Sequence, residues 1–124
     1  MKKFQTCATA AALWLPLAAS AHHAGTAFEN AKATTISGTV TQWLWTNPHT
    51  WIYLDVMTDH GVQEYHFEGM AVSILARNGW TSTSLKPGDQ VTISYAPYKD
   101  DGRLGGEYRT VTTADGHTLS WSGL

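Results

Sequence analysis

The stretch that decides the fold is TISGTVTQWLW, residues 35–45. Its side chains alternate in character, as they do in a β-strand that buries one face. Gly38 interrupts the alternation, which predicts a bulge or a bend in the strand. The predicted faces are Ile36, Val40 and Leu44 on the buried side and Ser37, Thr39, Thr41 and Trp43 on the other.

Downstream of this strand, the periodicity predicts more strands and one helix. Further strands are expected at 51–57, 62–68, 91–95, 107–113 and 117–121, and a helix at 70–78. Asn78-Gly79 is a suitable helix stop. Three strands, a helix and then two or three strands is the element order of an OB-fold barrel. We therefore predict a mainly β protein, a small OB-fold-like barrel of five to six strands with one short helix between strands three and four. A β-sandwich is the alternative, although it usually has about seven strands and no central helix.

The N-terminal segment has the pattern of an export signal. Lys2 and Lys3 precede an apolar run at 8–19, which is too short to span a bilayer comfortably. Ala19 and Ala21 are small residues at the positions that a signal peptidase reads. We expect a signal peptide at 1–21 cut after Ala21, an N-terminal arm at 22–34 and a barrel domain at 35–124. The mature protein is then periplasmic or secreted.

Composition restricts the possible functions. The single cysteine, Cys7, lies inside the predicted signal, so the mature chain has no disulfide and no cysteine-based zinc site. Residues 22–124 carry six basic side chains against ten acidic ones, a net charge of −4 with His neutral. A basic surface for nucleic acid is therefore not expected, and the mature chain contains no run that predicts a transmembrane segment.

A set of short motifs is spread along the mature chain. They are His22-His23, Gly38-Thr39-Val40, Thr46-Asn47-Pro48-His49, Trp51-Ile52, Glu68, the run 75–80 and the run 85–91. In their order and spacing they resemble a family of small exported bacterial proteins of unknown function, which has an N-terminal His-His and an Asn-Pro-His motif. The resemblance implies export and one compact domain, but no activity. Residues 69–72 depart from it, because they are more apolar than the Pro- or Ser-containing version expected there.

The histidine pair after the cleavage junction predicts a transition-metal site. A cut after Ala21 puts the α-amine and an imidazole on His22, and a cut after Ser20 places a histidine at position three. Both arrangements offer the nitrogen donors that Cu(II) prefers. We therefore predict that His22 and His23 bind copper. The alternative is that the pair only marks the chain end.

Three residues of the barrel are candidates to complete such a site. His49 follows Pro48 in a loop, where it either displays its ring or only caps a strand. His66 and Glu68 lie two residues apart and so share one face of a strand. They either share a metal, with Glu68 as a ligand or as the partner that orients His66, or they form a solvated outer face.

A second hypothesis places binding on a tryptophan-rich loop. Trp45, Asn47 and Trp51 flank the Pro48 break and are predicted to contact a periplasmic protein or a small ligand without any metal. The competing interpretation is that these rings plug the barrel ends. No catalytic triad, phosphate-binding loop or paired-carboxylate pattern is present, so we do not expect an enzyme.

Overall fold

The structure is a computed structural model that describes residues 27–100 and 102–123. It contains β1 (Thr34–Leu44), β2 (Trp51–Thr58), β3 (Gly61–Glu68), α1 (Val72–Arg77), β4 (Gln90–Pro97), β5 (Gly105–Thr113) and β6 (Thr118–Ser120). The predicted signal peptide, its cleavage junction, His22 and His23 lie outside the described residues. Within the described ranges, no helix is long and apolar enough to cross a membrane.

The strands close into a barrel. The sheet order is β3-β2-β1-β4-β5-β6, and an additional parallel pairing of β3 with β5 joins the two sides. Five strands therefore form the closed barrel, and β6 extends it by pairing with β5. The helix lies between β3 and β4 in the chain. This architecture confirms the predicted OB-fold-like barrel, including the position of its one short helix.

Alternating residues fill the interior as the sequence predicts for β2. Ile52, Leu54 and Val56 are buried, whereas the residues between them are only partly buried. Large rings add to the core, since Trp80 and Tyr108 are fully buried and lie 5.5 Å apart between ring centroids. The other face of β2 and β3 is therefore left to carry polar side chains.

The predicted faces of β1 are wrong beyond Val40. The register with β2 shifts between Val40 and Gln42, so the bulge lies after Gly38 and reverses the faces that follow. Trp43 consequently packs against the core, with its ring 5.7 Å from Trp80, although it was predicted to face outward. Gly38 has a different role, because a Cβ atom there would overlap the carbonyl oxygen of Asp55 on β2.

The described part of the N-terminal arm packs on the end of β4. Phe28 forms an isolated antiparallel bridge with Tyr98, and their rings lie 5.2 Å apart. Together with Ala96 they form a small buried cluster separate from the main core. This contact fixes where the arm meets the barrel.

Candidate functional site

The register of β2 with β3 creates a polar row on the outside of the barrel. Tyr53 pairs with His66, and Trp51 pairs with Glu68, while the intervening Ile52 and Phe67 point into the core. Because successive side chains of a strand alternate in direction, Glu64, His66 and Glu68 all lie on the outer face. His49 precedes β2 and contacts the same face through Glu68. We call His49, Glu68, His66 and Glu64 the outer histidine row.

His49 is held through one ring nitrogen. Its Nδ1 lies 3.0 Å from the carbonyl oxygen of Gly69 and 3.1 Å from Oε1 of Glu68. A carbonyl and a carboxylate can only accept, so Nδ1 carries the hydrogen and donates it. In the neutral ring, Nε2 then keeps its lone pair. The His49 side chain is 35% exposed, so the ring that carries this lone pair is accessible to solvent.

The backbone around Gly69 is built for this contact. Gly69 N–H donates to the Thr50 carbonyl oxygen at 2.8 Å, and Thr50 N–H donates to the Met70 carbonyl oxygen at 3.2 Å. A Cβ atom on Gly69 would overlap the ring of Tyr108, so only glycine fits there. These bonds fix the Gly69 carbonyl group that accepts the His49 hydrogen.

His66 is held in the same way by a different carboxylate. Its Nε2 lies 2.7 Å from Oε1 of Glu64, and its ring lies 4.5 Å from that of Tyr53. The carboxylate accepts the Nε2 hydrogen, which leaves Nδ1 as the free donor of the neutral ring. Glu68 was expected as a possible partner of His66, but its carboxylate lies 3.1 Å from Nδ1 of His49, and the hydrogen bond of His66 goes to Glu64. Each histidine of the row therefore has its own glutamate.

The row is not a complete metal site. Among the described residues, no group of three or more His, Cys, Asp or Glu side chains is placed to hold a metal ion. Each histidine of the row offers one ring nitrogen, and its other ring nitrogen lies within about 3 Å of a carboxylate, a common environment for a metal-binding histidine. The predicted ligands His22 and His23 lie outside the described residues.

Asn47 has a structural partner. Its Oδ1 accepts the backbone N–H of Val72 at 3.1 Å, at the first residue of α1. Ala71, the residue at the N-cap of the helix, makes no capping hydrogen bond with its side chain. Asn47 thus caps the helix from a distant loop, and its peptide bond to Pro48 is cis.

The predicted tryptophan face is only partly available. The rings of Trp43 and Trp45 lie 5.6 Å apart, and both pack against the hydrophobic core. Trp51 pairs with Leu44 and Glu68 and is partly buried. Trp45 therefore serves the packing of the barrel, whereas Trp51 lies on the outer face of β2, since the neighbouring Ile52 points into the core.

Sequence reasoning missed two residues beside the row. Glu107 pairs with Glu68 in the parallel β3–β5 ladder, and burial raises the pKa of its carboxyl group. Burial also raises the pKa of Tyr98 to about 12, and no described residue is hydrogen-bonded to its hydroxyl group. Neither position carries a local signal, because both reach the row only through the closure of the barrel.

A cleft opens next to His66. Its volume is about 300 Å³, and it lies between β3 and the loop that connects β4 to β5. The guanidinium carbon of Arg103 lies 3.7 Å from the centroid of the Tyr98 ring at this cleft. The lining residues are Glu64, His66, Tyr98, Gly102, Arg103 and Leu104.

Comparison with known protein families gives a match over most of the chain. Residues 11–107 match the Family of unknown function (DUF6152). The comparisons with curated proteins and with solved structures gave no match. Since the match covers most of the chain, the protein belongs to this family of unknown function.

Proposed function

We propose that the protein is an exported copper-binding protein. In this proposal, the histidine pair His22-His23 begins the mature chain and binds Cu(II), and a histidine of the outer row adds a nitrogen from the barrel. The observation that carries the proposal is the state of the two row histidines. Nδ1 of His49 donates its hydrogen to the Gly69 carbonyl oxygen and lies 3.1 Å from a carboxylate oxygen of Glu68. Nε2 of His66 donates its hydrogen to Glu64. The second nitrogen of each neutral ring keeps its lone pair.

The chemistry of the donors favours copper among the transition metals. The mature chain contains no thiol, so nitrogen and oxygen donors remain. Cu(II) has the highest affinity of the divalent first-row metals for such ligands and accepts an amine with imidazoles in a tetragonal arrangement. Carboxylates next to the histidines also lower the electrostatic free energy of a bound cation.

The N-terminal contribution can be tested by moving the histidines away from the chain end. One chain begins at His22, and its control carries Gly-Ser-Gly ahead of His22, which removes both the amine–imidazole chelate and the third-position arrangement. We expect the control to bind Cu(II) at least about tenfold more weakly in a competition titration, which corresponds to about 1.4 kcal/mol. Equal affinities would show that the chain end does not bind the metal.

Export is proposed on the sequence pattern of residues 1–21, and it is tested by the mass of the protein recovered from the periplasm of an expressing cell. A mass equal to that of a chain beginning at His22 or Ala21 fits the proposal. A full-length mass would contradict it and would also remove the free amine from the proposed site.

Partner docking through Trp45 and Trp51 remains the alternative. It predicts that Trp51→Ala abolishes capture of a partner while Cu(II) affinity stays unchanged. The structure provides less support for it, because the ring of Trp45 packs against the core. A loss of Cu(II) binding in the extended chain, with Trp51→Ala binding normally, would favour the copper proposal over this one.

A further inference from the structure

The first half of β3 has a strand on one side only. In an antiparallel pair, every second residue points its backbone N–H and C=O groups away from the other strand. His66 is one of these residues, since its N–H donates to the Leu104 carbonyl oxygen at 3.1 Å and not to β2. Val62 and Glu64 occupy the preceding alternate positions of the same ladder, so their backbone groups point the same way. We call these outward groups of Val62 and Glu64 the β3 edge.

No strand in the described part of the chain covers the β3 edge. β5 pairs with residues 66–68 of β3 and reaches no further. Within residues 27–100 and 102–123, the N–H groups of Val62 and Glu64 donate to no other segment. The edge therefore offers two donors and two acceptors at the spacing of a β-ladder. Such an edge can accept an extended segment of another chain as an added strand.

Apolar side chains are exposed along the β3 edge. Val62 is 58% exposed, and its neighbour across the β2–β3 ladder, Met57, is 77% exposed. Leu104, at the other end of the edge, is 38% exposed. An added strand would cover Val62 and approach Leu104, and this burial of apolar surface favours binding.

Two carboxylates determine the charge that suits a partner. Asp55 and Glu64 lie directly opposite each other in the β2–β3 ladder, on the outer face of the barrel. Like charges in this position repel and destabilise a sheet. In the described ranges neither carboxylate forms a salt bridge with a lysine or an arginine, and Glu64 is half exposed. A basic side chain opposite Glu64 would therefore be attracted by both carboxylates.

We propose that the β3 edge binds an extended segment of another protein, in which a basic residue lies opposite Glu64 and an apolar residue two positions away lies opposite Val62. Side chains two residues apart lie on the same face of a strand, so one added strand makes both contacts. This interaction surface goes beyond the proposed copper site and does not depend on a bound metal.

The loop between β4 and β5 limits where the segment lies. His66 is already bonded to Leu104, so the added strand ends beside Glu64. The cleft of about 300 Å³ at that end receives the next side chain of the segment. Arg103 lines this cleft, with its guanidinium carbon 3.7 Å from the centroid of the Tyr98 ring, and would repel a second basic residue. The expected partner sequence is therefore a basic residue between two apolar ones at alternate positions.

Charge distinguishes this partner from a second copy of the same chain. Two copies joined through their β3 edges would bring two Asp55–Glu64 pairs into one contact. Four carboxylates would then repel one another, and the whole chain already has a formal net charge of −2. A basic segment gains attraction at the same place, so the partner is a different protein.

Amide hydrogen exchange in the unaltered protein tests whether the edge is free. We expect the amides of Val62 and Glu64 to exchange at least about tenfold faster than those of Gln63 and Tyr65, which point toward β2. Equal exchange at the four positions would show that the edge is not the open side of the strand, and would overturn the inference.

A peptide of the expected pattern tests the partner chemistry. The probe is the heptapeptide Thr-Val-Thr-Lys-Thr-Val-Thr, acetylated and amidated at its ends, added to the metal-free protein. We expect the amide signals of Val62 and Glu64 to move most in a nuclear magnetic resonance titration, and their hydrogen exchange to slow. The same peptide with glutamate in place of lysine should bind at least about fivefold more weakly at low salt, because attraction by two carboxylates becomes repulsion.

Removing backbone donors separates strand addition from a purely ionic contact. Val62→Pro loses an edge N–H that β2 does not use, and proline is tolerated at such positions. It should bind the lysine peptide about fivefold or more weakly than the matched control Val62→Thr, which keeps the N–H. A lysine peptide methylated on the backbone nitrogens of its valines and lysine should lose affinity for the unaltered protein in the same way. That measurement does not depend on how well the proline variant folds.

Three results would overturn the inference. The first is no binding of the lysine peptide at millimolar concentration. The second is equal binding of the lysine and glutamate peptides, or binding that neither Val62→Pro nor N-methylation weakens. The third is a dimer in sedimentation experiments in which the Val62 and Glu64 amides become protected, which would assign the edge to a second copy. Cu(II) binding is measured separately, so none of these results decides the copper proposal.

Discussion

At the scale of single residues, the outer histidine row differs from the other described histidines in how its rings are held. His49 donates a ring hydrogen to the Gly69 carbonyl oxygen beside Glu68, and His66 donates one to Glu64. Within the described ranges, the rings of His60 and His117 make no hydrogen bond. A fixed ring presents its free nitrogen in one direction and loses less conformational entropy when a metal binds. This is the physical reason to look for ligands in the row and not in the turns.

A buried pair of hydroxyl groups provides a residue-scale prediction. Thr50 donates to the Met70 carbonyl oxygen at 2.9 Å, so the 2.6 Å bond between Thr50 and Tyr108 must have Tyr108 as its donor. Tyr108→Phe leaves the Thr50 hydrogen paired and should destabilise the protein by about 0.5–1.5 kcal/mol. Thr50→Val leaves the Tyr108 hydroxyl group buried without an acceptor and should cost about 1–3 kcal/mol.

Urea unfolding of the two variants and of the double variant measures this difference. The double variant should cost less than the sum of the two, because it no longer buries an unpaired hydroxyl group. A larger loss for Tyr108→Phe than for Thr50→Val would contradict the assigned donor.

At the scale of elements, the sequence predicts what repeats locally and misses what depends on a neighbouring strand. Every predicted strand and the helix are present, but α1 covers only Val72–Arg77, and of its residues only Leu75 is buried. Ile74 is 39% exposed, so the helix buries only a narrow face. The reversal of β1 after Val40 follows from its register with β2, which no property of residues 35–45 reveals.

The cap of α1 gives an element-scale prediction. Asn47→Ala removes the acceptor of the Val72 N–H and should destabilise the protein by about 1 kcal/mol, the usual effect of losing a helix cap. Amide hydrogen exchange at Val72 should become faster. Asn47→Asp retains an acceptor oxygen and should remain close to the parent in both measurements. If the Asp variant were as unstable as the Ala variant, the hydrogen bond would not be the cause.

The turn before β4 gives a prediction about pH. Asp89 accepts hydrogen bonds from the Lys86 side chain and from Lys86 N–H, and its backbone carbonyl accepts from Val40 N–H at 2.8 Å. The Lys86 side chain holds the pKa of the Asp89 carboxyl group below its ordinary value. A lowered pKa in the folded state stabilises the protein above the unfolded value of about 3.9, and this contribution is lost as the pH falls through the folded value.

Asp89→Asn tests this effect, because the amide oxygen still accepts a hydrogen bond but carries no charge. At pH 6 the variant should be less stable than the parent by less than about 1 kcal/mol, since Lys86 is largely exposed. At pH 3 or below the difference should shrink, as measured by urea unfolding at both pH values. A difference that grows on acidification would have the wrong sign for a lowered pKa.

At the scale of the whole molecule, the element order was enough to predict the barrel, whereas the side-chain contacts on its outer face were not predictable. Alternation, the Gly38 break and the helix between the third and fourth strands limit the chain to few topologies. The parallel contact of β3 with β5, however, joins segments about forty residues apart and brings Glu107 beside Glu68. His66 and Glu68 were predicted on one face correctly, but the partner of each histidine depends on tertiary contacts that only the folded barrel provides.

Closure of the barrel depends on Gly105, and this gives the last prediction. Gly105 has a φ of +115°, and a Cβ atom there would overlap the carbonyl group of His66 on β3. Gly105→Ala should destabilise the protein by about 3 kcal/mol or more, because backbone strain and overpacking add together. Gly61→Ala is the matched control, since Gly61 has a φ of +91° but no neighbouring atom within 4 Å of the added Cβ. Its backbone strain alone should cost about 1–2 kcal/mol.

Urea unfolding measures the free energy of unfolding of both variants. The His66 amide donates to the Leu104 carbonyl oxygen across the closure, and its hydrogen exchange should become faster only in the Gly105 variant. Equal losses in the two variants would show that the β3–β5 contact tolerates a side chain, and the wall of the cleft beside His66 would then not depend on this glycine.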